Sequence, residues 1–215
     1  MKQDRHTLSS LMAVAVAAVA LAACEPPAET VELAEGHTPD GLRERVEQFA
    51  PVTVTFDSTL LDDDRKRVVK KLVRASDVLD TIFRTQVWRE NLETARRLEG
   101  ATGPGMDAAR DYYEIMYGPW DRLVENEPFL AVGPKPEGAG YYPPDMTKGE
   151  LESWLEEHPD DREAFTSYWT VIERTDQGGL EAVPYSERYA DRLERAAALL
   201  EEAAGHAENE SLKTF

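Results

Sequence analysis

Apolar side chains recur at helical spacing in several parts of the chain, and the longest such pattern lies between residues 63 and 87. It follows the acidic cluster Asp62-Asp63-Asp64, which is favourable at the N-terminus of a helix. Its apolar members are Val68, Val69, Leu72, Val73, Leu79, Ile82, Phe83 and Val87. The pattern predicts one long helix that buries this stripe in the core.

Capping signals predict further helices. Thr38 precedes a proline and predicts a helix over residues 38–50, and residues 107–117 predict a second one before a Gly-Pro pair. Thr147 and Glu150 form a capping box, in which each side chain accepts a hydrogen bond from a backbone amide that the helix leaves unpaired. The apolar residues that follow are predicted to face inward: Leu151, Trp154 and Leu155.

Helical patterns also fill the C-terminal part of the chain. Residues 158–165 predict a short helix, and Ser186 is expected to cap a long one that ends at Gly205. The predicted inner face of the long helix comprises Tyr189, Leu193, Ala196, Ala197, Leu200, Ala203 and Ala204. Residues 209–215 resemble the first turn of another helix, so we expect the lobe to be truncated at its C-terminus.

Strand patterns are fewer. Residues 51–56 alternate apolar and polar side chains, which is typical of a half-buried strand. Residues 168–174 and 180–183 are expected to pair as a β-hairpin through the flexible turn at residues 176–179. The fold predicted is therefore helix-dominated α+β: five or six amphipathic helices, one β-hairpin and one or two further short strands.

Residues 118–146 are too rich in proline and glycine for a continuous helix or a central strand. They also carry six large apolar or aromatic side chains: Trp120, Phe129, Leu130, Val132, Tyr141 and Tyr142. A disordered linker lacks such residues, so this segment, the arm, is expected to be ordered and packed across the domain.

The N-terminal residues are typical of an export signal. Lys2 and Arg5 precede an apolar run of 13 residues, Leu11–Ala23, whereas a membrane span needs about 20. The sequence Leu21-Ala22-Ala23-Cys24 resembles a bacterial lipobox and contains the only cysteine of the chain. We therefore predict a lipoprotein signal peptide over residues 1–23, lipid attachment at Cys24 and an exported, membrane-anchored product in the periplasm or cell envelope. The alternative is a plain signal peptide with an unrelated cysteine.

The residues after the signal predict a flexible tether over 24–38 and one α+β lobe over 39–215. Removal of Lys2, Arg5 and Asp4 with the signal changes the 24 basic and 42 acidic residues to 22 and 41. The formal net charge becomes −19, from −18. A surface this acidic repels both nucleic acid and anionic lipid headgroups. We therefore expect no nucleic-acid binding, and expect the attached lipid to be the only contact with the membrane.

The chain carries no self-sufficient active site that its sequence reveals. Its four histidines, His6, His37, His158 and His206, share no helix turn, so no His-Glu-x-x-His pair is present to hold zinc. Motifs for a serine nucleophile or a phosphate-binding loop are missing as well. We predict no catalytic residue and no metal ligand in this chain.

A series of motifs in the arm and beyond nevertheless resembles the N-terminal region of bacterial zinc-dependent hydrolases of the dipeptidyl peptidase III family. The series covers roughly residues 43–215. Its members, in order, are Phe49-Ala50-Pro51-Val52, Gln86-Val87-Trp88, Tyr117-Gly118-Pro119-Trp120-Asp121-Arg122, Pro128-Phe129, Gly133-Pro134-Lys135-Pro136, Gly140-Tyr141-Tyr142-Pro143-Pro144-Asp145-Met146-Thr147-Lys148, Phe165-Thr166-Ser167, Thr170-Val171-Ile172, Val183-Pro184-Tyr185-Ser186 and Ser211-Leu212-Lys213.

The resemblance implies part of the non-catalytic lobe of a two-lobed metallopeptidase that removes dipeptides from short peptides. In the family, a His-Glu-x-x-x-His or His-Glu-x-x-Gly-His helix and a later glutamate hold the zinc, and peptides bind in the cleft as an added strand. These zinc residues follow the region that resembles this chain, so zinc is expected in the full-length family and not in this chain.

Three hypotheses follow. The first is the N-terminal portion of a zinc-dependent dipeptidyl peptidase, inactive without its catalytic lobe, which predicts a large exposed apolar patch where that lobe packs. The second is a non-enzymatic lipoprotein that binds peptides or a partner and exposes no such face. The third is a carboxylate-based enzyme that needs no metal.

Overall fold

The structure is a computed structural model, and it describes residues 30–214. The predicted signal peptide and Cys24 lie outside the described residues, as does the first part of the predicted tether. No helix among the described residues is long and apolar enough to cross a membrane.

Residues 30–214 form nine α-helices and two antiparallel two-stranded sheets. The helices are α1 Pro39–Glu47, α2 Asp63–Val87, α3 Asn91–Gly100, α4 Met106–Met116, α5 Lys148–Glu157, α6 Arg162–Phe165, α7 Tyr185–Arg188, α8 Ala190–His206 and α9 Glu210–Thr214. The strands are β1 Trp120–Asp121, β2 Glu127–Pro128, β3 Thr170–Arg174 and β4 Leu180–Pro184. The predicted helix-dominated α+β fold is confirmed, although the helices outnumber the five or six expected.

The largest apolar cluster joins α1, α3 and α4 to the arm. Tyr112 and Tyr113 of α4 are buried there with Leu42 of α1, Leu98 of α3 and Phe129 of the arm. The arm is therefore ordered, as its aromatic content predicts.

Residues 30–38 are the described part of the predicted flexible tether. They pack against the arm, so this part is not a flexible linker. Leu33 forms a β-bridge with Leu130, and the amide of Ala34 donates a hydrogen bond to the carbonyl of Phe129 at 3.0 Å. The physical reason is that Val31 and Leu33 pack against the largest apolar cluster. The composition of residues 24–38, which is rich in proline, glutamate and alanine, did not predict this contact.

Helices α2 and α8 pack side by side in an antiparallel pair. Lys71 near the start of α2 binds Glu202 near the end of α8, whereas Ile82 near the end of α2 is buried with Tyr189 just before α8. The predicted stripe of α2 is only partly buried, because Val68 and Ile82 face the core while Val73 remains 55% exposed. Leu79 and Phe83 are also about half exposed.

Three other sequence predictions are wrong. Residues 51–56 form no strand, and Val52 and Val54 are 80% and 91% exposed, because no neighbouring strand offers backbone hydrogen bonds. Ser186 does not cap the last long helix, since it lies in the separate short helix α7. Gly205 lies inside α8 instead of ending it. The apolar periodicity of the sequence also failed to predict α3, which spans Asn91–Gly100.

Candidate functional site: an open strand edge in the β3–β4 hairpin

The hairpin of β3 and β4 lies between two apolar clusters. Ile172 and Leu180 pack with Leu155 of α5 and Phe165 of α6 on one face, while Val171 packs with Ile82 and Tyr189 on the other. The strands pair in the register Val171 opposite Val183 and Glu173 opposite Glu181. A strand pair buried on both faces has only its two edges left for recognition.

The outer edge of β3 is covered. The amide of Ile172 donates a hydrogen bond to the carbonyl of Tyr141 in the arm at 2.8 Å. The guanidinium of Arg89 donates to the carbonyl of Ile172 at 2.9 Å. The arm and the loop after α2 therefore close this side of the sheet.

The outer edge of β4 is open. Hydrogen bonds from Tyr185 to Trp169 and from Thr175 to Gly179 flank the hairpin, so the residues at odd numbers in β3 are those that exchange bonds with β4. The backbone groups of Leu180 and Ala182 consequently point away from β3, and no backbone partner for them is present among residues 30–214. Leu180 is only 5% exposed, so the half-buried Ala182 is the accessible position of this edge. Such an edge can accept one more strand.

Ion pairs fix the hairpin rigidly. The carboxylate of Glu173 lies 3.2 Å from the guanidinium of Arg89 and 2.6 Å from that of Arg188. On the opposite face, Arg174 donates to Asp145 of the arm at 2.9 Å and to Glu150 of α5 at 2.8 Å. The hydrogen bonds from Arg174 hold the pKa of both carboxyl groups below their ordinary values.

The predicted capping box of α5 belongs to this network. The hydroxyl of Thr147 accepts a hydrogen bond from the amide of Glu150 at 3.1 Å. The amide of Thr147 in turn helps to lower the pKa of the Glu150 carboxyl, although Arg174 is the larger cause. The hydrogen bond to the Thr147 hydroxyl is the confirmed half of the box, and Arg174 joins Glu150 to the hairpin.

Aromatic side chains surround the base of the hairpin. Tyr185 lies edge-on to both Trp169 and Tyr189, with ring centres 6.1 and 5.4 Å apart. Burial, together with the neighbouring Tyr141, raises the pKa of Tyr185 to about 12. Tyr168 and Trp169 are 90% and 73% exposed, which is unusual for side chains so large and leaves them available to contact a ligand.

The described residues do not fit a zinc ion. Residues 30–214 contain no group of three or more histidine, cysteine, aspartate or glutamate side chains that could hold a metal. The ring of His158 stacks on Trp154 with 4.0 Å between ring centres, and His206 lies 3.8 Å from Asp64. His37 is half-buried. The histidines are thus separate, and the arrangement offers backbone and aromatic contacts but no nucleophile.

Sequence reasoning found the hairpin but missed its surroundings. Arg89 and Arg188 meet at the carboxylate of Glu173, and Tyr141 of the arm binds the backbone of the neighbouring Ile172; no local pattern marks these contacts. The proline and tyrosine pairs in the arm were the only available signal. They indicated a rigid segment without showing what it covers.

Comparison with known proteins adds a family relationship, although no family model matches the chain. The solved structure of DPP III from Caldithrix abyssi is 46% identical, with a TM-score of 0.75, over 80% of this chain and 33% of that one. Dipeptidyl-peptidase III from Corallococcus sp. strain EGB is 34% identical, with a TM-score of 0.77, over 82% of this chain and 33% of that one.

A curated plant protein is a more distant relative. Nudix hydrolase 3 of Arabidopsis thaliana is 27% identical over 223 aligned residues, which cover 80% of this chain and 29% of that protein. The chain therefore spans about a third of the length of the proteins it matches.

Proposed function

Because this chain is a relative of part of the bacterial dipeptidyl peptidase III enzymes, we propose that it supplies the non-catalytic part of a dipeptidyl peptidase. The observation that carries the proposal is the joint agreement of sequence and fold with about a third of those structures. The zinc and the general base would belong to the remaining part, since the described residues form no metal-binding group. We therefore assign no catalytic step to this chain, and expect it to be inactive alone.

The role of this part would be to hold the peptide substrate. An extended peptide has the same backbone groups as a strand, so it would pair with Ala182 at the open edge of β4. Backbone pairing does not depend on side-chain identity, which suits an enzyme that cleaves many short peptides. The exposed rings of Tyr168 and Trp169 would contact the substrate side chains.

The missing part would pack on an apolar corner, defined by Val69 and Leu72 of α2, Leu200 of α8 and Leu212 of α9. Two adjoining grooves share Leu72 and Leu212 in their walls. All four side chains are between 38% and 49% exposed. This apolar surface supports the proposal, because the first sequence hypothesis predicts an exposed apolar patch and the stand-alone hypothesis does not.

A chimera tests the proposal. Residues 39–214 of this chain would replace the matching third of the Caldithrix abyssi enzyme, and dipeptide release from short peptides would be measured by mass spectrometry. We expect the isolated chain to release none and the chimera to be active. A folded but inactive chimera, or an isolated chain that releases dipeptides, contradicts the proposal.

The same chimera tests the apolar corner. We expect Val69→Glu with Leu72→Glu to lower its activity at least about tenfold, because an unpaired charge buried in an interface costs several kcal/mol. Leu123→Glu is the matched control, since Leu123 is 62% exposed and lies outside the corner. Equal losses in the two variants would remove the corner from the interface.

The second candidate function is a non-enzymatic lipoprotein that binds peptides or a partner protein. The open edge of β4 and the exposed aromatic pair beside it favour this function as well. It predicts that the isolated chain binds short peptides while the chimera stays inactive.

We also propose that the protein is exported and anchored by lipid at Cys24. The proposal rests on the apolar run and the lipobox-like sequence before this cysteine. Cys24→Ser is expected to move the protein from the membrane to the soluble fraction of its bacterial host, as seen by immunoblotting. An unchanged membrane fraction would overturn the lipid anchor.

A further inference from the structure

A groove between α2, α3 and α8 has a volume of about 890 Å³. No hairpin residue lines it, and it is separate from the apolar corner. Three arginines line it: Arg74 of α2 and Arg192 and Arg195 of α8. The groove needs an explanation because the chain as a whole is strongly acidic.

The three arginines of the groove differ from most others because their guanidinium groups bind no acceptor among residues 30–214. Residues 30–214 contain 16 arginines. Twelve of them contact a carboxylate, a hydroxyl or a backbone carbonyl: Arg43, Arg45, Arg65, Arg67, Arg84, Arg89, Arg96, Arg97, Arg110, Arg122, Arg174 and Arg188. Among the described residues, four guanidinium groups have no hydrogen bond or ion pair, and three of the four line this groove. The fourth is Arg162.

The antiparallel packing of α2 and α8 brings these arginines together. Arg74 lies three residues after Lys71, and Lys71 binds Glu202 across the helix pair. With the helices antiparallel, Arg74 lies at about the level of residue 199 in α8. Arg195 is therefore about one helical turn, or roughly 5 Å, further along, and Arg192 lies about one turn beyond it. Arg74 also contributes at longer range to the lowered pKa of Glu202, but Lys71 is the larger cause.

The remaining lining determines what the groove can hold. Asp77 and Asp191 are present as well, so the groove carries a net charge of one positive unit, and neither carboxylate pairs with an arginine within the described structure. The apolar wall consists of Val78, Leu92 and Leu199. A volume of 890 Å³ is larger than a single phosphate or acetate needs and lies within the range of pockets that bind drug-sized ligands.

We propose that this groove binds an acidic polypeptide segment, whose carboxylates are held by Arg74, Arg192 and Arg195. Arginine suits this task because its planar fork donates two parallel hydrogen bonds to one carboxylate. The aliphatic parts of glutamate side chains would pack on the apolar wall. This site does not rest on the proposed peptidase role, since it lies apart from the β4 edge.

Fluorescence anisotropy of a labelled hexaglutamate peptide, titrated with residues 24–215 of this chain, tests the site. The salt concentration is about 20 mM, at which electrostatic interactions are only weakly screened. We expect saturable binding that weakens with added salt. A triple variant, Arg74→Gln, Arg192→Gln and Arg195→Gln, should bind at least about tenfold more weakly. Labelled hexalysine is the probe of opposite charge, and its binding should not weaken in the triple variant, because the substitutions remove positive charges only.

Arg162→Gln is the matched control, because Arg162 is exposed, has no ion partner among the described residues and lies outside the groove. Circular dichroism would establish that each variant folds. Three results would overturn the site: no saturable binding of hexaglutamate to the unmodified chain, an equal affinity in the triple variant, or an equal loss caused by Arg162→Gln.

Discussion

Gly140→Ala is expected to be the most damaging single substitution in the arm, with a loss of at least about 3 kcal/mol in the free energy of unfolding. A β-carbon on Gly140 would lie 1.9 Å from the carbonyl oxygen of Thr85, a distance that no pair of non-bonded atoms tolerates. The neighbour is backbone in the last turns of α2, so it cannot rotate away.

The same glycine also joins the arm to α2 by a hydrogen bond. Its amide donates to the carbonyl of Gln86 at 2.9 Å, which satisfies one of the carbonyls that the end of a helix leaves unpaired. A shift of the arm that relieves the clash would break this bond. It would also move Tyr141, whose carbonyl covers the outer edge of β3.

Urea unfolding followed by tryptophan fluorescence measures the loss, with Gly205→Ala as the control. Gly205 lies inside α8 with no atom within 4 Å of its added β-carbon, so alanine there should stabilise by about 0.5–1 kcal/mol. A Gly140→Ala variant as stable as the parent would show that the arm does not contact α2 so closely.

Asn91→Ala is expected to cost about 2–3 kcal/mol, because one fully buried side chain joins three helix ends. Its amide nitrogen donates to the carbonyls of Arg84 in α2 and Tyr117 after α4, at 3.0 and 2.8 Å. Its amide oxygen accepts a hydrogen bond from the hydroxyl of Tyr113 at 2.6 Å. Alanine would remove the side-chain donor of the Tyr117 carbonyl. The carbonyl of Arg84 keeps the amide of Trp88, and the hydroxyl of Tyr113 keeps the backbone carbonyl of residue 91.

Asn209→Ala separates this effect from the loss of an ordinary cap. The side chain of Asn209 accepts a single hydrogen bond, from the amide of Leu212 at 3.0 Å, and the residue is exposed. We expect the control to cost about 1 kcal/mol or less. Thermal unfolding by circular dichroism compares the two variants, and a similar small loss for both would show that the Asn91 network contributes little.

The hairpin shows how far sequence reasoning reaches toward the candidate site. Its two strands, at residues 168–174 and 180–183, and its flexible turn at residues 176–179 are predicted from the sequence, and β3 and β4 form where expected. The open edge of β4 could not be predicted, because it depends on the arm and Arg89 covering only the other edge. Local patterns specify strands, whereas neighbours specify which edges remain free.

Segment 51–56 and helix α2 show the opposite error. Val52 and Val54 alternate with threonines as strand residues do, yet no strand pairs with them among the described residues. Val73 belongs to the predicted stripe of α2, yet it lies on a side of the helix that no element covers well and is 55% exposed. Apolar pattern predicts that a face will be buried, but it does not say by which element.

By itself, the sequence determined the helices with strong caps, the hairpin, the ordered arm and the family resemblance, because turns, caps and periodicity are set by residues a few positions apart. Tertiary structure alone decided the rest. The antiparallel packing of α2 on α8 brings Arg74 into the same groove as Arg195, which is 121 positions away in the chain. Contacts over such distances depend on how whole elements pack, and no local spacing of residues records that.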